Sequence, residues 1–173
     1  MRDFHRLCYD DWYLADMEIN VLIDEGLEGC PEVNWLQSVA EQVLVAQNAG
    51  SRVELGLVIA SQERVRQLNL SYLGKDGPTD VLAFSAVEEI GADFPSFVMP
   101  PDGVLHLGEV IIAYPQAVTQ AEEQKHSVKR EIAILIIHGI LHLLGYEHDK
   151  LELKRLMSAR EKEILSHVEG CSL

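Results

Sequence analysis

Cysteine is scarce in this sequence, and the few cysteines are not paired. The 173 residues contain three, Cys8, Cys30 and Cys171, which lie far apart and form no Cys-x-x-Cys pair. An odd, dispersed set indicates neither a disulfide framework nor a zinc site built from thiolates. We therefore expect a protein of a reducing compartment, the cytoplasm.

Long hydrophobic runs are also missing. The opening stretch, MRDFHRLCYDDWY, contains no apolar signal core. The most apolar segment, 132–145, includes two histidines and is shorter than the roughly 18 residues that a membrane-spanning helix needs. No membrane segment is expected.

Positive charge is in short supply, since 14 Lys and Arg residues stand against 28 Asp and Glu residues, a net charge of −14. Nucleic-acid binders are usually basic, so composition alone argues against DNA and RNA as partners. The acidic excess is uneven, however, because residues 1–35 carry 9 acidic and 2 basic groups, half of the total excess. We interpret this concentration as a solvated face or a masking arm. The total charge therefore says little about any one cleft.

The remaining composition, with 47% hydrophobic and 24% charged residues, is typical of a globular protein with one core. Apolar patterns predict four strands, at 17–23, 53–59, 81–87 and 109–113. Helical spacing and capping residues predict five helices, which begin near Pro31, Ser61, Pro115, Ser127 and Leu151. Residues 88–105, with several glycines and prolines, predict an irregular loop. The β-branched run 132–137 is compatible with either a strand or a buried helix.

Three histidines in the second half of the chain have a spacing that predicts a metal site. His138 and His142 are four residues apart, so on a helix they share one face, with Cβ atoms about 6 Å apart. On a strand the same pair would be separated by about 13 Å, so the chemistry favours a helix here. Gly145 can adopt a left-handed conformation that ends the helix and lets His148 approach the same point.

Three imidazoles with an open fourth position form the donor set of a catalytic zinc site. Histidines on an apolar helix often serve only in packing, but three at these offsets around a glycine favour a metal. We therefore predict one Zn²⁺ per chain, bound by His138, His142 and His148. Water bound to the zinc is the predicted reactive group, and no side chain is assigned as the general base. The other histidines receive no role; they are His5, His126, His167 and His106, the last being placed in the loop before the fourth strand.

The histidine spacing also matches that of metzincin proteases, in which the residue after the first histidine is a glutamate that acts as general base. In this chain that residue is Gly139, which cannot accept a proton. Peptide hydrolysis by that mechanism is therefore disfavoured.

A longer stretch, HGILHLLGYEHD at 138–149, resembles the HGxLHLxGYDH signature of the YbeY family, bacterial metal-dependent endoribonucleases of ribosomal RNA maturation. Residues 68–85, LNLSYLGKDGPTDVLAFS, resemble its LNxxYRxKDxPTDVLSFP block, and residues 105–113, LHLGEVIIA, resemble its LGDIVI strand. The resemblance implies an α/β fold with a small mixed four-stranded sheet, about five helices and a zincin-like metal-bearing helix. It also implies that the three histidines of the signature are the zinc ligands.

The chain departs from the family pattern at three places. Leu73 stands where the family has arginine, and an arginine there would be a natural bidentate partner for phosphate. Glu109 and Glu147 stand where aspartate is usual, and both keep the carboxylate. Residues 1–16 precede the family's usual start, so we interpret them as an acidic extension, or as a misassigned start with Met17 the true first residue. Residues 17–173 are then one YbeY-like domain.

The resemblance implies zinc-dependent cleavage of single-stranded RNA in ribosomal RNA processing, namely maturation of the 16S rRNA 3′ end in the small subunit, and in ribosome quality control. The expected partners are ribosomal RNA precursors and the small ribosomal subunit. Lys75 is the candidate phosphate contact, although it is equally compatible with a plain surface charge. Thr79 and Asp80 either orient water or cap the third strand.

Other functions remain open. A ribosome-associated binding factor with a structural zinc is favoured by Leu73 in place of arginine and by the net charge of −14. A metallohydrolase, either protease-like or acting on small molecules, is compatible with any zinc that binds water.

Overall fold

The structure is a computed structural model that describes residues 16–50, 52–86, 102–147 and 149–172. The strands are β1 (Asp16–Ile23), β2 (Arg52–Ala60), β3 (Val81–Ser85) and β4 (Leu105–Ala113). The helices are α1 (Val33–Ala46), α2 (Gln62–Leu73), α3 (Tyr114–Gln124), α4 (Val128–Leu143) and α5 (Leu151–Ser172). Nearly all of the predicted N-terminal extension, residues 1–15, and most of the predicted loop at 88–105 lie outside the described residues.

The four strands form one mixed sheet in the order β1-β2-β4-β3. The first three strands of that order run parallel, while β3 pairs antiparallel with β4 at one edge. Together with the five helices of the described residues, this arrangement confirms the predicted α/β class with a small mixed sheet.

The two faces of the sheet are covered differently. Alternate residues of β2, such as Val53, Leu55 and Leu57, are fully buried in the larger core, which also contains residues of α1, α4 and α5. The intervening residues Val58 and Ala60 belong to a smaller core with Val65 of α2. Because side chains alternate along a strand, α4 and α2 lie on opposite faces of the sheet.

Helix α4 is the central element of the larger core, in contact with α1, α3, α5, β3 and β4. Its first turn is capped by Ser127, whose Oγ accepts a hydrogen bond from the Arg130 N–H at 3.2 Å. The run 132–137 is therefore helical, and its β-branched residues reflect burial on most sides of the helix rather than a strand.

The end of α4 also lies where the sequence predicts it. Gly145 has a φ of 88°, in the left-handed region. Its N–H bonds to the carbonyl of His142 at 2.9 Å, and the N–H of Tyr146 bonds to the carbonyl of Leu141 at 3.0 Å. This pair of bonds is a Schellman motif, which turns the chain back after the last helical turn.

Three predicted boundaries are wrong by a few residues. Strand β3 ends at Ser85 instead of residue 87. Helix α1 begins at Val33 with Glu32 as N-cap, so Pro31 precedes the helix instead of opening it. Strand β4 begins at Leu105 instead of residue 109, because Leu105 and His106 already pair with β2 ahead of a bulge. Gly108 lies at this bulge with a φ of 119°, and a Cβ there would be 2.0 Å from the Phe84 carbonyl oxygen. His106 is therefore a strand residue, not a loop residue.

The longest helix, α5, packs on α4 through Met157, Ile164 and Val168, all of them buried. Its other faces carry charged side chains that are largely exposed. None of the helices in the described part of the chain is long and apolar enough to cross a lipid bilayer.

Candidate metal centre

The centre of the candidate site is a pair of imidazoles on consecutive turns of α4. The Nε2 atoms of His138 and His142 are 3.1 Å apart, and the two rings meet edge to face with centroids 4.6 Å apart. Two nitrogens bound to one tetrahedral zinc, each at about 2.0 to 2.1 Å, would lie about 3.3 Å apart. The pair therefore has the spacing of two ligands of one metal ion, as the sequence predicts.

A carboxylate from α5 orients the first of these imidazoles. Oε1 of Glu161 lies 2.6 Å from Nδ1 of His138, and both side chains are about a quarter to a third exposed, at 24% and 31%. Because a carboxylate oxygen accepts hydrogen bonds, this contact places the imidazole proton on Nδ1. The lone pair of Nε2 is then directed toward His142, which is the arrangement found when histidine binds a metal.

Sequence reasoning missed Glu161, although a signal was present. Met157, Glu161, Ile164 and Val168 recur at intervals of four, three and four residues, and all but Glu161 are buried apolar side chains. A charged residue in the apolar stripe of a helix is unusual and indicates a specific partner. The identity of that partner depends on how α5 packs against α4, which the spacing does not reveal.

The third predicted ligand, His148, lies outside the described residues, so the three-histidine site stays a prediction. Among the residues that the structure describes, no group of three or more His, Cys, Asp and Glu side chains is placed to hold a metal. Tyr146, in the turn after α4, is tied to the end of α1, since its hydroxyl donates to Oε1 of Gln47 at 3.2 Å.

The glycine between the two histidines is packed against the sheet. A Cβ added to Gly139 would lie 2.5 Å from Cγ1 of Val110 in β4, closer than carbon atoms of packed side chains approach. No larger residue fits there without moving α4 away from the sheet. The glutamate that metzincin proteases have at this position is therefore excluded by packing as well as by the sequence.

Comparison with known proteins agrees with these observations. Residues 31–169 match the model of a protein family described as Endoribonuclease YbeY. The chain belongs to the YbeY family. A protein of that name from Dehalococcoides mccartyi strain 195 is 44% identical over 158 residues, which cover 88% of this chain and 90% of the relative. Another from Geobacillus thermodenitrificans is 39% identical over 152 residues, which cover 83% and 92%.

A solved structure supports the fold. The solution structure of TM1509 from Thermotoga maritima is similar with a TM-score of 0.58 at 25% identity, covering 88% of this chain and 89% of that one. The predicted resemblance to the YbeY family is thus confirmed by sequence relatives, and the α/β architecture is that of a solved neighbour.

The YbeY block at 68–85 covers the second half of α2, the loop after it and β3. Leu73, at the position of the family arginine, is the last residue of α2 and is 53% exposed. Beside it Tyr72 is also exposed, and its ring centroid lies 5.1 Å from that of Phe84 in β3. An apolar and aromatic surface therefore occupies the place where a YbeY pattern has a cation.

Lys75 and Asp80, both in the loop of this YbeY block, have different surroundings. Lys75 is exposed, and its backbone N–H bonds to the carbonyl of Asn69 in α2 at 3.3 Å. Asp80 accepts a hydrogen bond from the Val81 N–H at 2.8 Å, and its other oxygen accepts one from Nε2 of Gln120 at 3.0 Å. Asp80 therefore caps the start of β3, and Thr79 bonds within the same turn, to the carbonyl of Val81. Strand capping is thus the role that the structure supports for both residues.

A second histidine contacts carboxylates elsewhere in this YbeY protein. Nδ1 of His106 contacts Glu54 in β2, and Nε2 lies 3.0 Å from Oδ2 of Asp102. Hydrogen bonds to Asp102 and Glu54 raise the pKa of His106. The hydrogen bond from the Val104 N–H, together with the contact with His106, lowers the pKa of Asp102. Leu105 and Leu107 on either side point into the larger core, so His106 projects from the opposite face and lies away from α4.

Proposed function

We propose that this protein is a zinc-dependent endoribonuclease that cleaves single-stranded RNA, with the zinc held by His138, His142 and His148. The observation that carries the proposal is the convergence of two Nε2 atoms at 3.1 Å, with one imidazole held by Glu161. Membership of the YbeY family and the names of its relatives support RNA as the substrate.

The residues around the histidine pair have different roles in this proposal. When bound, zinc supplies a Lewis acid that acidifies water or polarises a phosphoryl oxygen. Helix α4, buried on most sides, holds both imidazoles at a fixed separation, and Glu161 keeps the proton of His138 on Nδ1. Position 139 is a glycine packed against Val110 and offers no carboxylate, so a general base would come from another position, and none is assigned.

We further propose that the substrate is a ribosomal RNA precursor. The protein then acts in the cytoplasm with the small ribosomal subunit, in maturation of the 16S rRNA 3′ end and in ribosome quality control. The resemblance to the YbeY family supports ribosomal RNA as the substrate. The dispersed cysteines support the cytoplasm, because they indicate a reducing compartment.

Elemental analysis of purified protein tests the metal site first. We expect about one zinc per chain in the wild type, and loss of zinc in His142→Ala together with loss of cleavage of a labelled single-stranded RNA by on the order of 100-fold or more. His167→Ala, which removes an exposed histidine of α5, is the matched control and should keep both. A folded His142→Ala protein that kept its zinc and full cleavage would contradict the proposal.

The exposed lysine in the loop before β3 can be tested as a phosphate contact. Lys75→Gln should weaken binding of single-stranded RNA and reduce the slope of log affinity against log salt by about one. Lys125→Gln removes an equally exposed lysine at the end of α3 and serves as the control. Equal effects of the two substitutions would show that Lys75 contributes only to the overall charge.

Leu73 and the net charge of −14 favour one alternative, a ribosome-associated binding factor in which zinc is structural. Leu73→Arg distinguishes the two functions, because Leu73 is exposed and the substitution restores the bidentate phosphate partner. For a nuclease we expect tighter RNA binding and faster cleavage at low substrate. For a binding factor, cleavage stays absent in both proteins, and the affinity for the small subunit depends little on salt.

A further inference from the structure

Glu161 contacts the histidine pair from a different helix, 23 positions later in the chain. Its side chain lies in the stripe of α5 that faces the core, between Met157 and Ile164, which are 2% and 1% exposed. A carboxylate near such surroundings is stabilised only when a hydrogen-bond donor compensates for the water it loses. In the described part of the chain, the donor that faces Glu161 is Nδ1 of His138.

The neighbouring cation does not take this role. Arg160 directs one guanidinium nitrogen to the carbonyl of Ala46 at the end of α1 and the other to Oε2 of Glu163, at 2.5 and 2.7 Å. Arg160 and Glu163 therefore form a separate contact, which reaches the end of α1. Glu161 alone among these three residues faces the histidines.

The orientation of His138 matters because its Nε2 lies 3.1 Å from Nε2 of His142. At that distance two neutral imidazoles can share a hydrogen bond, in which one Nε2 carries the proton and donates it to the other. His138 in that form would point an N–H at its neighbour and have no lone pair to offer a metal. A carboxylate at Nδ1 favours the other tautomer, with the proton on Nδ1 and a lone pair on Nε2.

We propose that Glu161 is a positioning residue that holds His138 as its Nδ1–H tautomer and thereby sets the affinity of the site for zinc. This inference rests on the proposed function only in so far as the histidines bind zinc. It also links α5 to the metal, because the apolar side chains that dock α5 on α4 fix the place of the carboxylate. By thermodynamic reciprocity, zinc then favours the docked position of α5.

Two substitutions and one control test the inference. Glu161→Gln keeps the volume of the side chain but removes its charge, and Glu161→Ala removes the acceptor. Glu163→Gln is the matched control, because Glu163 lies two residues away on the same helix, is 69% exposed and pairs with Arg160. All three remove one negative charge from α5.

The first measurement is zinc affinity, by competition with a chromophoric chelator. Orienting carboxylates next to metal-bound histidines typically contribute 10- to 100-fold in affinity, so we expect zinc binding about 10- to 100-fold weaker in both Glu161 variants. The Glu163→Gln protein should bind zinc within about twofold of the wild type. Equal zinc affinity in Glu161→Ala and wild type would overturn the proposal, as would an equal loss in Glu163→Gln.

The second measurement reports the tautomer itself. Long-range ¹⁵N–¹H correlation spectra of the metal-free protein distinguish the protonated from the bare nitrogen of each imidazole. We expect His138 of the wild type and of Glu163→Gln to be protonated at Nδ1, and a shift toward protonation at Nε2 in Glu161→Ala. Far-ultraviolet circular dichroism shows whether Glu161→Ala is folded. If it is not, the zinc affinity of Glu161→Gln decides, because its amide oxygen can still accept a hydrogen bond from Nδ1 and the tautomer alone would not be decisive. An unchanged tautomer in the folded variant would contradict the inference.

RNA cleavage by the same proteins separates this inference from the proposed function. Weaker zinc binding in the Glu161 variants, with no RNA cleavage in any protein including the wild type, would support the positioning role and reject the nuclease. Wild-type zinc affinity in the Glu161 variants, with cleavage intact, would reject the positioning role alone. A folded wild type that binds no zinc even when zinc is added would reject both.

Discussion

Two histidines on opposite faces of the sheet each contact a carboxylate through Nδ1, and they differ in what the second ring nitrogen meets. Nε2 of His138 meets another imidazole at 3.1 Å, whereas Nε2 of His106 meets a second carboxylate at 3.0 Å. With one carboxylate at Nδ1, an imidazole still has Nε2 available for another partner. With two, it is stabilised as the cation that donates from both nitrogens. The neighbour of the second nitrogen thus distinguishes a metal ligand from one member of a charged pair.

The supporting elements differ in the same way. His138 is held between two packed helices, α4 and α5, and is 31% exposed. His106 projects from a strand and is 41% exposed, and both of its carboxylate partners are in partial contact with water. Water screens the second cluster, so its ion pairs contribute little to stability, while the first keeps the fixed geometry that a metal requires.

Added zinc should separate the two clusters most strongly. At a free zinc concentration about 1,000 times the dissociation constant, a ligand that binds only the folded state raises the free energy of unfolding by about 4 kcal/mol. We expect that increase in the wild type and in His106→Ala, and none in His142→Ala. Chemical denaturation with and without zinc measures it. An increase in His142→Ala, or its loss in His106→Ala, would show that the roles assigned to the two clusters are wrong.

Gly139→Ala should disturb only the cluster on α4. The added methyl group would overlap Val110, so we expect a loss of about 1 to 3 kcal/mol in the free energy of unfolding and weaker zinc binding as α4 moves from the sheet. Val110→Ala in the same protein makes room and should restore part of the zinc affinity. Unchanged stability and zinc binding in the single variant would mean that α4 is not pressed against β4 as the structure shows.

A third histidine–carboxylate pair extends the comparison, because its carboxylate is buried and its imidazole, in the described part of the chain, contacts no second histidine. Nε2 of His126 lies 2.5 Å from Oε2 of Glu131 in the first turn of α4, and Glu131 is 7% exposed. His126→Ala leaves that carboxylate without its donor, which we expect to cost about 1 to 2 kcal/mol of stability. Zinc stoichiometry should remain at the wild-type value, and a loss of zinc would place this pair in the metal site.

The termini of α4 were predictable from the sequence because they depend on local interactions. Ser127 bonds to an N–H three residues ahead, and Gly145 needs only its own freedom of φ to end the helix. The face shared by His138 and His142 follows from helical geometry alone. For these reasons the two imidazoles of the described candidate site could be predicted from their spacing.

The rest of the site depends on contacts between segments far apart in the chain. The start of β4 is set by pairing with β2 and by the bulge at Gly108, so no local pattern placed His106 on a strand. Glu161 meets His138 only because Met157, Ile164 and Val168 dock α5 against the core. The position of Glu161 in an apolar stripe is visible in the sequence, but it does not reveal which side chain Glu161 contacts.

The smallest expected effect is the pH dependence of the His106 cluster. The pKa of His106 in the folded state is raised above its ordinary value of about 6.5, so its contribution to stability is fully present below that value and is lost as pH rises through the folded pKa. The pKa of Asp102 is lowered, so the same interaction is also lost in strong acid, as pH falls through the folded pKa of Asp102. The interaction is therefore strongest between the two pKa values.

The test compares the free energy of unfolding of wild type and His106→Gln at about pH 5.5 and about pH 8.5, with His167→Gln as the control for an exposed histidine. Because the two proteins have every other titratable group in common, the difference between wild type and variant isolates His106. That difference should be larger at the acidic pH, and the control should show none. A larger difference at the alkaline pH would mean that the neutral imidazole is the stabilised form. The distinction drawn from the second nitrogen would then fail.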